Sequence, residues 1–227
     1  FDMIERLVDQ FGIEVVADTG DLTDWGTTPE TRPVSRIGDL DVPYVYVRGN
    51  HDSRRIQEAV ADQPNAVVLD GDAAEVAGLR FWGIGDPRYT PDKSQPVDGT
   101  EAERAEAFAP VVAERLAEDR PPPVDVVMVH DQRMAADLGG EVPLVLAGHT
   151  HEPDVAVIEP PDEDAEEPED GAEEDTTTAA ADEPRGEGEE RTLLLVEGST
   201  GGAGLRGLQN EEPTPVAMSV LFFNPDR

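Results

Sequence analysis

All four histidines of this chain, His51, His130, His149 and His151, stand at or just beyond the C-terminal end of a short apolar run. Those runs are Pro43–Val47, Val124–Val129 and Val142–Ala147, and a fourth, Ile13–Ala17, leads into Asp21. Asn50 sits in the same segment as His51. Apolar runs of this length, bounded by Gly, Asn and Asp, read as buried strands. In sheets covered by helices, ligand sites gather at the carboxyl ends of strands. Strand ends that carry every histidine predict one shared site, because unrelated surface histidines would scatter.

The intervening segments supply the rest of a layered fold. Phe1, Ile4, Leu7, Val8 and Phe11 follow helical spacing up to Gly12, which marks a helix end. A weaker helix is expected over about Glu30–Leu40, disturbed by Pro33, and another over Ser53–Asp62. Ala66–Asp70, Glu75–Val76 and Arg80–Ile84 read as short antiparallel strands. Asp86–Gly99 is a Pro-rich loop, and Glu101–Glu118 is one long helical run closed by the prolines from Pro121. A short helix follows His130, Asp154–Ile158 and Thr192–Val196 read as strands, and Pro215–Phe223 as a last one. Helices alternate with strands early and strands dominate late, which predicts an α/β or α+β sandwich with helices outside two packed sheets.

Charge narrows the partners. The chain carries a formal net charge of −34, with Lys93 its only lysine. The stretch Glu159–Glu190 alone holds 16 acidic residues against Arg185, leaving 35 acidic and 16 basic residues elsewhere. Nucleic-acid affinity comes from Lys and Arg neutralising phosphates, and no basic stripe exists, so a nucleic-acid partner is disfavoured. A high-salt habitat or a genomic codon bias accounts for such acidity without any functional use. Glu159–Glu190 is too poor in large apolar residues to order itself and is expected to be a disordered insertion at the tip of a hairpin within a single domain, 1–227. The chain has no cysteine, so any metal must be held by His, Asp, Asn, Glu or water, a donor set suited to Mn, Fe or Zn. No run reaches the length of a membrane span.

Gly20-Asp-Leu-Thr-Asp24, Gly49-Asn-His-Asp52, His130 and Gly148-His-Thr-His151 follow one another in this order, each after an apolar run. Gly-Asp-x-x-Asp alone is common in turns, whereas Gly-Asn-His-Asp and Gly-His-Thr-His are much more specific. Together they resemble the second to fifth motifs of the calcineurin-like metallophosphoesterases, over about Phe1–Phe223 without the acidic insertion.

The resemblance implies a four-layer αββα sandwich and a hydrolase that cleaves a small phosphoester, a monoester or a diester, with two divalent metal ions. It makes Asp21 the bridging carboxylate, with Asn50, His130 and His149 completing one metal's shell and His151 serving the other. It makes His51 a catalytic residue and not a ligand, aimed at the leaving-group oxygen as general acid. Asp52 then either orients the His51 imidazole or is an acid favoured at a helix N-terminus; both can hold. Asp24 reads as a loop-stabilising residue before a ligand, and Asp131 as either a partner behind His130 or a helix start. Gly198-Ser-Thr-Gly-Gly202 is either a flexible loop or a phosphate contact.

The family's first motif, Asp-x-His, is not found, since nothing before Gly20 contains a histidine. The chain is therefore expected to be an N-terminally truncated piece, with one complete metal shell and part of a second. Its alternative reading is an inactive, scaffold-type module of the same fold, which would have no use for His51. Neither substrate nor compartment is legible: a soluble domain, cytoplasmic or attached to an upstream membrane segment, fits equally.

Overall fold

The structure, a computed structural model, describes residues 1–88, 99–160, 191–200 and 216–224. Helix α1 (Asp2–Phe11) ends where Gly12 adopts φ 62° and returns its N–H to the Val8 carbonyl, a left-handed stop that glycine makes without strain. Strand β1 (Val16–Asp18) follows. The weak helical segment resolves into short turns: 3₁₀ turns at Thr28–Glu30 and Ser35–Asp39 flank the single helical turn α2 (Thr31–Val34). Pro33 gives no N–H to extend α2, as the sequence suggested.

Strand β2 (Tyr44–Tyr46), helix α3 (Arg54–Ala61) and strand β3 (Ala66–Val68) form a β-α-β unit. Ser53 caps α3, its hydroxyl accepting from the Ile56 amide. Contrary to the antiparallel expectation, β3 pairs parallel with β2, Tyr44 opposite Ala66. The reason is the helical crossover, which returns the chain in the same direction. Since β1 also pairs parallel with β2, these strands form a three-stranded sheet in the order β1-β2-β3.

The second sheet has six strands in the order β4-β5-β6-β7-β9-β8. They are β4 (Asp72–Val76), β5 (Leu79–Gly83), β6 (Val126–Asp131), β7 (Leu144–His151), β8 (Asp154–Ile158) and β9 (Thr192–Gly198). Here β4–β5 and β8–β9 are antiparallel, while β5, β6, β7 and β9 run parallel. The long helix splits into α4 (Glu101–Glu106) and α5 (Ala109–Glu118). Pro110 is the cause: lacking an N–H and crowding the carbonyl four residues back, it starts a helix better than it continues one.

Alternating side chains divide the interior into three apolar layers. Val45 and Val47 meet Phe81, Val126, Met128, Leu144 and Leu146 between the two sheets. Tyr44 and Tyr46 face outward onto Val34, Ile37, Ile56 and Val60 of the first helical layer. Val127, Val129, Val145 and Ala147 face Val112, Leu116, Met134 and Leu138 on the far side. Helix, sheet, sheet, helix is the four-layer sandwich.

The last expected strand is not regular. Residues 216–224 contribute only a bridge between Ser199 and Val216. Most of the Asp86–Gly99 loop and of the acidic insertion lies outside the described residues, as do Gly201 and Gly202. The β8–β9 ladder is nonetheless complete from Asp154 opposite Val196 to Ile158 opposite Thr192, so the insertion leaves and re-enters at paired ends. Replacing Pro160–Glu190 with an Asn-Gly turn shortens the loop roughly tenfold and eases closure by about 2 kcal/mol. The expected melting temperature is unchanged or a few degrees higher, with metal binding retained. A large loss of activity at saturating metal in a folded variant would assign the insertion to the active machinery.

Candidate metal centre

Two interlocked loops build the site. Gly20, at φ 97°, lies so close to the next loop that a Cβ there would sit 2.3 Å from the Gly49 nitrogen. A Cβ on Gly49 would in turn meet the Asp21 amide nitrogen and Oδ1, each at 2.3 Å. Only glycine at both positions lets the loop after β1 press against the loop after β2. That contact brings Asp21 beside Asn50.

His130 is the centre of the cluster and is fully buried. Its Nδ1 lies 2.8 Å from the Thr19 carbonyl, so Nδ1 is the donor and Nε2 faces inward. Around Nε2 stand Asn50 Oδ1 at 3.1 Å, His149 Nδ1 at 3.2 Å and Asp21 Oδ2 at 3.4 Å. Ligand atoms of Asp21, His130 and His149 all fall within 4.8 Å of one another. His151, the expected ligand of a second metal, is outside this group; it ends β7 opposite Gly198.

The backbone is strained at these positions. Asp21 (φ 60°), His149 (φ 72°) and His151 (φ 63°) are three of the four non-glycine residues with positive φ among those described. Such conformations cost of order 1–3 kcal/mol each and collect where geometry serves a site. The ladders also slip there, between Met128 and Asp131 and between Ala147 and His151. These irregularities re-aim side chains at the strand ends.

Electrostatics follow from the crowding. Burial works against charge on His130, but the Asp21 carboxylate beside it pushes the imidazole up to about 9. Burial raises the Asp21 carboxyl, and the His130 charge and hydrogen bond outweigh it, holding it well below the usual range. His149 is pushed down by burial and by the neighbouring His130. Hard oxygens and borderline imidazole nitrogens converging on one point suit a divalent cation such as Mn, Fe or Zn.

His51 and Asp52 take separate roles. The Asp24 main-chain carbonyl lies 3.2 Å from His51 Nδ1. The His51 amide donates to Asp21 Oδ1 at 2.9 Å. Asp52 is almost wholly buried and turns to the Asp21 loop. It accepts from the amides of Asp21, Leu22, Thr23 and Gly49 and from the hydroxyls of Thr23 and Tyr46, at 2.8–3.2 Å. Its contacts are those of a loop anchor, and the partner of the His51 ring nitrogen is the Asp24 carbonyl. Burial and the Asp21 charge nevertheless push the Asp52 carboxyl up.

Other anchors were not singled out in the sequence. Glu30 takes the amides of Asp24, Trp25 and Thr27 and the Thr27 hydroxyl, fixing the rest of the loop. The spacing Thr27-x-x-Glu30 is a capping box, a signal visible in the sequence. Asp18 receives the Tyr44 hydroxyl and the Gly20 amide. Burial drives its carboxyl up to about 6.

Oxygen and imidazole donors gathered at the strand ends of a two-sheet sandwich make a candidate metal site. The family model for calcineurin-like phosphoesterases matches residues 1–153, and the chain belongs to that family. The family is one of metal-dependent phosphoester hydrolases. No curated protein matches the chain. Among solved structures 22 chains match; one aligns over 66% of this chain and 79% of its own, at 13% identity and a TM-score of 0.46. Among the described residues, no helix is long and apolar enough to cross a membrane.

Proposed function

We propose that the protein hydrolyses a small phosphoester at a dinuclear divalent-metal centre, with His51 as general acid. The observation that carries this reading is the convergence of Asp21, Asn50 and His149 on the inward nitrogen of His130, at 3.1–3.4 Å. Asp21, Asn50, His130 and His149 would hold one ion, and His151 would serve the other, with Asp21 between them. Bound as a pair, such ions supply Lewis acidity and a hydroxide nucleophile near neutral pH.

The chain's own residues do the rest. His51 Nδ1 lies against the Asp24 carbonyl, which orients the ring, and as general acid His51 would give a proton to the leaving oxygen. Asp52 holds the Asp21 loop so that ligand and acid keep their separation. The net charge of −34 favours a small substrate over a polyanion, since the metal ions must supply most of the local positive charge.

The test uses the protein as its gene encodes it. Hydrolysis of p-nitrophenyl phosphate or bis(p-nitrophenyl) phosphate is expected with Mn, Fe or Zn added. Chelation should abolish it and added metal should restore it. Turnover that survives chelation, or none with any of these metals, would defeat the proposal.

A further inference from the structure

Behind the metal cluster lies a second set of buried charges. Asp86 and Asp131 are fully buried and Arg88 nearly so. Arg88 Nε reaches Asp86 Oδ1 and Oδ2 at 2.9 and 3.1 Å, while its Nη2 reaches Asp131 Oδ2 at 2.9 Å. Its Nη1 donates to the Glu101 carbonyl at 2.9 Å. The Asp86 amide donates to the Arg48 carbonyl at 2.8 Å, tying the group to the segment just before Asn50. Asp131 Oδ1 also accepts from the Arg133 amide at 3.0 Å, and Arg133 Nη1 lies 3.3 Å from both carboxylate oxygens. A guanidinium between two carboxylates is a rigid arrangement, because its planar fork fixes the angle of each partner.

This group meets the cluster at His149. His149 Nε2 lies 3.6 Å from Asp131 Oδ2, while His149 Nδ1 lies 3.2 Å from His130 Nε2. We infer that the Asp86–Arg88–Asp131 clamp positions the His149 ring, making Nδ1 and not Nε2 its metal-binding atom. A neutral imidazole has one N–H, and a fixed carboxylate facing Nε2 keeps the hydrogen there. The lone pair of Nδ1 is then presented to the cluster. At 3.6 Å the effect is electrostatic orientation more than a formed hydrogen bond. Arg88 and Arg133 hold both oxygens of Asp131, which keeps this carboxylate from turning into the cluster as a ligand itself. Asp131 and Arg88 are thus positioning residues for the metal centre proposed above, on which this inference rests.

The test reads the ring directly. With only four histidines in the chain, long-range ¹H–¹⁵N correlation spectra can assign both nitrogens of each. In the zinc-loaded chain, His149 is expected to show a protonated Nε2 and a metal-bound Nδ1. Asp131→Asn should weaken zinc binding by about 10–100-fold in chelator competition and leave His149 a mixture of tautomers. Arg88→Lys, which keeps the charge but not the fork, should do the same. Zinc on Nε2 of His149, or an Asp131→Asn chain with unchanged tautomer and zinc affinity within about twofold of the parent, would overturn the inference. If the variants fail to fold, the unsubstituted chain still decides, since its spectrum needs no substitution. Should the chain take up no zinc, the metal-centre reading fails separately. The metal-free spectra of the parent and of Asp131→Asn then test the clamp, which predicts the His149 hydrogen on Nε2 in the parent and a mixture of tautomers in the variant.

Discussion

Asp52→Ala is expected to destabilise the chain by about 3–5 kcal/mol, the scale of breaking a buried, fully hydrogen-bonded charge network. The substitution strips the acceptor from the amides of Asp21, Leu22, Thr23 and Gly49 and from two hydroxyls. Each buried donor left without a partner bears its own desolvation cost. For a chain of this size the melting temperature should fall by roughly 10 °C. Asp52→Asn should also destabilise, because its amide group would face donors with a donor. Metal affinity should drop with stability in both variants, since Asp21 is carried on the released loop. Thermal denaturation with parallel metal analysis checks this. An Asp52→Asn protein that melts like the parent would return Asp52 to the role of a partner for His51 alone.

His51→Ala should separate chemistry from ligation. In the protein as its gene encodes it, turnover should fall by roughly 100-fold or more, the scale of losing a general acid. Metal content should stay nearly constant, because His51 is outside the converging Asp21, His130 and His149 group and its Nδ1 faces the Asp24 carbonyl. Asp21→Ala should instead lose metal and activity together. Steady-state kinetics beside elemental analysis distinguishes the two outcomes. A His51→Ala protein as depleted of metal as Asp21→Ala would make His51 a ligand.

The strand-end placement of the histidines is legible in the sequence. Apolar runs of strand length, bounded by turn residues, mark strands, and the polar residue that follows each run sits at a strand end. Asp21, Asn50, His130 and His149 were readable for that reason, and the structure gathers them. The layers were readable too, because Tyr44, Val45, Tyr46 and Val47 alternate between the helical face and the space between sheets.

What escaped depends on contacts between distant segments. Nothing in Asp86-Pro-Arg88 signals a clamp until β5 and β6 place it beside Asp131. Asp52 looked like a helix-start acid or a partner for its neighbour. The close approach of Gly20 and Gly49 is what delivers the Asp21 loop to its carboxylate. The break at Pro110 and the parallel β3 were decided by local sterics and by a helical crossover, which alternation alone does not report.

The most direct test of the metal centre is a calorimetric titration of this chain with a divalent metal in buffers of differing ionisation enthalpy. His130 must shed its proton to become a ligand. Its folded pKa of about 9 means that the metal-free chain holds that proton at neutral pH. Lowering the pH therefore strengthens the competitor, while raising it frees the ligand until about pH 9. Binding near pH 7 should release about one proton per metal, and apparent affinity should rise about tenfold per pH unit up to that point. One tightly held equivalent per chain is predicted, a second only weakly, and none in Asp21→Ala. No uptake, two tight equivalents, or uptake without proton release would contradict the assignment of Asp21, Asn50, His130 and His149 to a single metal shell.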